Sequence, residues 1–109
     1  MNMQRQKKIV DETMEICRGF IRKTEQQSMD VFKHAGSHSE LDVMFARMVM
    51  IVHDQLMEID ISESYSSVTN NMLLQCLHVI RRAHARALEG LIEHERMLAA
   101  KESLTSAKH

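Results

Sequence analysis

Apolar residues recur along this chain at helical spacing, and three segments carry the pattern. The predicted helices cover residues 3–35, 40–60 and 67–101. In the first, apolar or small residues alternate in steps of four and three, which is typical of a helix packed against a neighbour. They are Val10, Met14, Cys17, Ile21, Thr24, Ser28, Val31 and Ala35. Because this stripe becomes polar around Thr24 and Ser28, we expect the first helix to pack weakly there.

The third segment carries a longer apolar seam at the same heptad spacing, which predicts a surface for self-association. The predicted oligomer seam consists of Leu73, Leu77, Ile80, His84, Leu91 and Leu98, with Ala87 and His94 on the same stripe. At the rise of an α-helix, the first and third helices would each be about 50 Å long and the second about 30 Å. The long pair must therefore overhang the short helix, and a second chain is the simplest cover for the exposed stripes.

The link between the first two helices, "HAGSHSELD", contains residues that end one helix and begin another. Gly36 suits a left-handed residue after the first helix, Ser39 is a candidate cap for the second, and Asp42 favours its first-turn amides. A link this short predicts antiparallel neighbours. The later stretch "DISESYSSVTNN" is rich in Ser, Asn and Thr and predicts a loop.

The second helix is apolar on more than one side. At about 100° per residue, a broad face carries Leu41, Met44, Phe45, Met48, Val49, Val52, Leu56 and Ile59. A separate line is formed by Val43, Met50 and Met57, with Ala46 between the first two. Two interpretations stay open. Either the first and third helices cover this helix on different sides, or the separate line binds another polypeptide, for which methionine is well suited because its side chain adapts to different partners.

Composition supports an all-α chain with a single domain. There is no proline, glycine occurs three times, and aromatic residues make up 4% of the sequence, so turn and strand signals are scarce. The predicted fold is a three-helix antiparallel arrangement with two long helices and a shorter apolar middle helix. We expect it to dimerise as a coiled-coil or four-helix-bundle type assembly, with frayed termini at about residues 1–6 and 102–109.

The charge and cysteine content narrow the classes of partner and the compartment. The formal net charge is −1, so no global field favours nucleic acid or an anionic membrane. The apolar run from Val43 to Val52 is interrupted by Arg47 and is too short to span a bilayer, so no membrane partner is predicted. Cys17 and Cys76 lie in apolar helical patterns, which predicts buried thiols. The N-terminal stretch lacks the apolar region of a secretory signal, so we expect a cytoplasmic, or alternatively nuclear, location.

Three arginines on the third helix offer an alternative function. Arg81, Arg82 and Arg86 could contact phosphates, with Lys7 and Lys8 as further cations. However, Glu89 and Glu93 continue the face of Arg82 and Arg86, which favours a ladder of ion pairs on a solvated surface. Nucleic-acid binding is therefore the second hypothesis.

Seven histidines raise the question of a metal site. No zinc or di-iron spacing occurs, and the pair His34 and His38 has Gly36 between its members, so no metal or other cofactor is predicted. A site that uses His84 or His94 within a bundle is the third hypothesis. His84 lies at the centre of the apolar seam, where it is either a neutral, hydrogen-bonded core residue or a group whose protonation loosens the seam at acidic pH.

No catalytic motif is present, neither a glycine-rich phosphate loop nor a nucleophile elbow, and we do not expect an enzyme. The first hypothesis is a small protein-interaction module, an adaptor, chaperone-like or regulatory protein, that acts through helix–helix contacts and forms a homodimer. Its predicted partner-binding residues are Val43, Ala46, Met50 and Met57.

Overall fold

The chain folds into three helices in the computed structural model, which describes residues 2–58 and 66–107. Helix α1 spans Asn2–Phe32, α2 spans His38–Glu58 and α3 spans Ser66–Ala107. The described residues contain no strand, so the prediction of an all-α chain with three helices is confirmed. The predicted end of the second helix at Asp60 and the first half of the predicted loop, residues 60–65, lie outside the described residues, whereas the second half, residues 66–71, belongs to α3.

The three helices begin one or two residues before the predicted starts, and α1 and α3 differ more at their C-terminal ends. Helix α1 stops at Phe32 rather than at Ala35, and its last turn is closed by bonds from the His34 and Ala35 amides to carbonyls three residues earlier, at 3.2 and 3.1 Å. Helix α3 continues to Ala107, past the predicted Lys101. Residues 102–107 lack an apolar stripe, but they contain no proline or glycine, so nothing in their backbone preference ends the helix.

The turn between α1 and α2 is built from a serine cap. The Glu40 amide donates to the Ser37 hydroxyl at 3.2 Å, and the Glu40 carboxylate accepts from the Gly36 amide at 2.8 Å. Two otherwise unpaired donors are thereby satisfied in a variant of the capping box. Ser37 is thus the cap of α2, and the prediction that Ser39 caps it is wrong by two residues. The left-handed conformation predicted for Gly36 is also wrong, since no described glycine has a positive φ.

Replacement of this cap tests the turn. We expect Ser37→Ala to lower the free energy of unfolding by about 1 kcal/mol, because the Glu40 amide loses its partner at the helix start. Ser39→Ala is the matched control and should change the stability by less than about half that amount. Urea denaturation followed by circular dichroism compares the two, and an equal loss for both variants would contradict the assignment of the cap.

Contacts between the helices define their relative directions. His38 Nε2 lies 3.0 Å from Glu95 Oε1, whereas His84 Nε2 lies 3.5 Å from Asp42 Oδ1. Later residues of α2 therefore meet earlier residues of α3, so these helices run in opposite directions. Along α1 and α3 the contacts advance in the same direction: Cys17 meets Met72, and Glu25, further along α1, meets Arg82, further along α3. Helix α2 thus returns beside α3, and α1 and α3 run in the same direction.

The core occupies the middle of the molecule, where all three helices contribute. Its fully or nearly fully buried apolar residues are Phe32, Leu41, Met48, Val52, Leu56, Met72, Cys76, Ile80 and Ala83. Thr24 and Ser28 are buried with them, and their hydroxyls donate to the carbonyls of Phe20 and Thr24 at 2.9 and 2.8 Å. The expectation that α1 packs weakly around these two residues is therefore wrong. Small side chains whose hydroxyls bond to their own helix can be buried, and they allow α3 to approach closely.

The ends of the long helices extend past this core. The described part of the molecule measures 82 × 23 × 16 Å, and its radius of gyration is 20.4 Å, against about 13 Å for a compact domain of 100 residues. Residues 2–12 of α1 and 93–104 of α3 are exposed throughout, at opposite ends of the molecule. The predicted overhang is present, and it divides between the two ends. Over the described ranges, each helix falls short of the apolar length that crossing a bilayer requires.

Two adjacent residues of α1 test where the core face lies. Phe32 is 2% exposed and Val31 is 40% exposed, although the sequence pattern placed Val31 on the packing stripe. We expect Phe32→Ala to reduce the free energy of unfolding by about 3–5 kcal/mol, through lost burial and the cavity it leaves. Val31→Ala should cost less than about 1 kcal/mol. Urea midpoints measure both changes, and a greater loss at Val31 would show that the helix faces the core differently.

Candidate interaction surface on the second helix

Helix α2 turns two opposite apolar sides to different surroundings. Its buried side chains are Leu41, Met48, Val52 and Leu56, which face α1 and α3. At about 100° per residue, Met50 lies roughly 160° around the helix from Val52. The residues of the predicted partner-binding line, Val43, Ala46, Met50 and Met57, therefore form an outer line on the side away from the core.

The outer line is open to solvent in a single chain. Val43 is 50% exposed, Met50 64% and Met57 54%, and Ala46 is exposed as well. The interpretation in which α1 and α3 cover these residues is therefore wrong. Their role in binding a partner stays a prediction.

One further apolar residue of α2 is exposed, but it lies outside the outer line. Ile51 is 48% exposed and lies about 100° around the helix from Met50, with Arg47 and Asp54 between them. Its exposure depends on how α2 packs against α1 and α3, so the sequence pattern did not single it out. A partner on the outer line would meet these two charged residues before it reached Ile51.

Charged and polar side chains flank the outer line. Arg47 and Asp54 lie on the Ile51 side, and Asp42 and His53 lie on the other. Asp42 faces His84 of α3 at 3.5 Å, and Asp54 lies 3.5 Å from the ring of His53. Within residues 2–58 and 66–107, Arg47 forms no ion pair, which leaves a free cation at the edge of the apolar surface.

The predicted oligomer seam of α3 lies mainly inside the chain. Ile80 is fully buried, Leu73 and Leu91 pack against the core, and Leu77 and His84 are half-buried. Leu98, on the overhanging part of α3, is 48% exposed. Most of this stripe is therefore covered by α1 and α2. Only Leu98 is free to meet another chain as the sequence predicts.

His84 has an aromatic and an acidic neighbour. Its ring lies edge-on to Phe32 and Phe45, with centroid distances of 6.2 and 4.9 Å, while its Nε2 faces the Asp42 carboxylate. Both interpretations of His84, a hydrogen-bonded core residue and a group whose protonation loosens the seam, stay predictions. No group of three His, Cys, Asp or Glu side chains positioned for a metal occurs among the described residues, His84 and His94 included.

The three arginines of the alternative hypothesis are exposed but are not equivalent. Arg82 reaches across to α1, where its guanidinium lies 3.2 Å from the Glu25 carboxylate. Arg81 and Arg86 are exposed. The ladder predicted between Arg86 and the following glutamates is not formed within the part of the chain that the structure describes. Pairing with Glu25 depends on how α1 packs against α3, which the sequence did not show.

The two cysteines lie between α1 and α3. Cys17 is half-buried and its thiol lies 3.2 Å from the Met72 sulfur, whereas Cys76 is fully buried and donates to the Thr24 hydroxyl at 3.8 Å. Burial raises the pKa of the Cys76 thiol, the hydrogen bond to Thr24 lowers it, and the nearby Cys17 raises it. Beside Cys17, a surface cavity of about 300 Å³ is lined by Met14, Ile21 and Met72. It is an open gap between α1 and α3, and its remaining lining residues, Arg18, Asn71 and Gln75, are exposed.

Comparison with models of known protein families, with curated proteins and with solved structures finds no match for this chain. The candidate site is therefore described from the geometry of this chain alone. It is an exposed apolar line on α2, with Arg47 and Asp54 on one flank and Asp42 and His53 on the other.

Oxidation of methionines tests whether the outer line is open. We expect dilute hydrogen peroxide to convert Met50 and Met57 to sulfoxides several-fold faster than Met48 and Met72, which are 4% and 8% exposed. Peptide mass spectrometry at low protein concentration measures the four rates in one sample. Equal rates for Met48 and Met50 would contradict the orientation of α2.

Proposed function

We propose that this protein is a small helical interaction module, an adaptor, chaperone-like or regulatory protein, that acts through helix–helix contacts and self-association. The observation that supports the proposal is the exposure of Val43, Met50 and Met57 on one line of α2. A line of apolar residues at helical spacing is the surface that a partner helix recognises.

The chemistry of the outer line suits this role. Two of its four members are methionines, whose unbranched and polarisable side chains adjust to the shape of a partner. Arg47 and Asp54 at its edge carry opposite charges, which can select the orientation of the partner helix. Affinity would come from the apolar line, and specificity from the charges beside it.

The overhanging helix ends provide a second reason to expect assembly. Val10 and Met14 continue the core-facing side of α1 beyond the core, and both are about half exposed. At the other end of the molecule, Leu98 continues the inner stripe of α3. Apolar stripes that extend past their own partners are typical of chains that complete a bundle with another copy, so we propose a homodimer of coiled-coil or four-helix-bundle type.

Nucleic-acid binding has weaker support. Glu25 lies against Arg82, and a phosphate would have to displace that carboxylate or bind beside it. Binding through Arg81 and Arg86 alone would weaken steeply with salt. A gel shift at low salt that shows no complex would remove this alternative.

Charge placed on the outer line tests the proposed function. We expect Met50→Asp and Met57→Asp each to weaken self-association or partner binding by about tenfold or more, because a carboxylate would be buried without a counter-ion. Sedimentation velocity over a concentration series measures self-association, and pull-down with tagged protein measures binding to partners. Circular dichroism confirms that each variant keeps its helix content.

Gln55→Asp is the matched control, since Gln55 is exposed on the same helix but lies away from the outer line. It adds the same charge and should leave association unchanged. If the Met50 and Met57 variants behave like this control in both assays, the proposed function is wrong.

A further inference from the structure

The positions of the charges beside the outer line indicate which partner helix fits and in which orientation. Arg47 and Asp54 are both exposed and lie on the same flank, three residues before Met50 and four residues after it. Two helices that meet along this line in opposite directions would place these charges at nearly the same height, within about 1.5 Å along the axis. The flank of one helix is thus complementary in charge to the same flank of an antiparallel copy.

We propose that the outer line of α2 binds the outer line of a second copy of this chain in antiparallel orientation, with Met50 on the two-fold axis. Arg47 of each copy then faces Asp54 of the other, which gives two symmetry-related ion pairs. This inference rests on the proposed function and names its partner and geometry. An interface of this kind is isologous and closes as a dimer.

The apolar residues fit the same register. Val43 lies seven residues before Met50 and Met57 lies seven residues after it, so each Val43 would pack against Met57 of the other copy. Ala46 would face His53, and its small side chain leaves room for the imidazole ring. All four members of the outer line therefore have a counterpart when Met50 meets Met50.

A parallel pairing fits the charges less well. It would bring Asp42 of one copy beside Arg47 of the other and draw it from His84, a contact at 3.5 Å that joins α2 to α3, whereas the 3.5 Å neighbour of Asp54 is only the adjacent His53. It would also leave Asp54 opposite Val49, which is half-buried and uncharged. The antiparallel register keeps the Asp42–His84 contact and gives Arg47, which has no ion pair in the described part of its chain, a counter-ion.

The contact is small, so the association should depend on concentration. Residues 43–57 span about 21 Å of helix, and one such helix against its copy buries less area than permanent dimer interfaces do. We expect a monomer–dimer equilibrium in which Met50 becomes protected from oxidation as the protein concentration rises.

Exchange of the two charges tests the geometry. Arg47→Asp alone and Asp54→Arg alone should each weaken the dimer about tenfold, because like charges then face each other twice. The double variant, Arg47→Asp with Asp54→Arg, should recover the parent affinity to within about threefold. An equimolar mixture of the two single variants should form a heterodimer that is tighter than either homodimer. Sedimentation velocity measures all four, and circular dichroism verifies the fold of each variant.

Cysteine crosslinking tests independently whether the two α2 helices pair in antiparallel orientation. Met50→Cys should form a disulfide with itself under mild oxidation, and Val43→Cys should form one only when mixed with Met57→Cys. The parent chain, which retains Cys17 and Cys76, is the control, and peptide mapping identifies the linked residues. A disulfide between two Val43→Cys chains would overturn the antiparallel orientation.

The possible outcomes separate this inference from the function on which it rests. If Met50→Asp weakens association but the double charge variant does not recover it and the single variants do not pair, the outer line binds in another way, and only the geometry is wrong. An Asp54→Arg variant that associates like the parent would also overturn the geometry. If Met50→Asp has no effect on any assembly, both proposals fail.

Discussion

The burial of one apolar core shared by all three helices is the constraint on which the rest of this structure depends. The helices differ in length, and the core joins the last part of α1, nearly the whole of α2 and the first half of α3. Phe32, Leu56 and Ile80 are almost completely buried in it, one from each helix. Most of the apolar burial of the chain is concentrated there, so the two overhanging ends contribute little to holding the fold together.

The close approach of α1 to α3 sets the positions of the other groups. Thr24 and Ser28 are small and bond to their own helix, which lets Cys76 and Ala83 pack into the core from α3. Helix α2 then covers the remaining side with its broad face. Because a helix of this kind can bury only one side against two neighbours, its opposite side faces outward. The exposure of Met50 is thus a consequence of how the core is packed.

This arrangement links fold to proposed function. The outer line carries none of the core packing, so its residues can change without loss of the fold, and they are available for a second chain. The same holds for Arg47 and Asp54, which lie at the edge of that surface. Assembly would then be controlled by a few side chains on one helix, while stability is controlled by others on the opposite side of the same helix.

The periodicity of apolar residues by itself determined the number of helices, their approximate extent and the two-sided character of α2, because these depend on local spacing. It could not determine which of two adjacent stripes faces the core, and so it placed Val31 rather than Phe32 on the packing side of α1. It also could not show that Ile80 and Leu91 are covered within the chain, or that Arg82 pairs with Glu25, since these contacts join residues far apart in sequence. Local spacing defines the sides of a helix, but only the packing of the three helices decides which side is buried and which remains open to a partner.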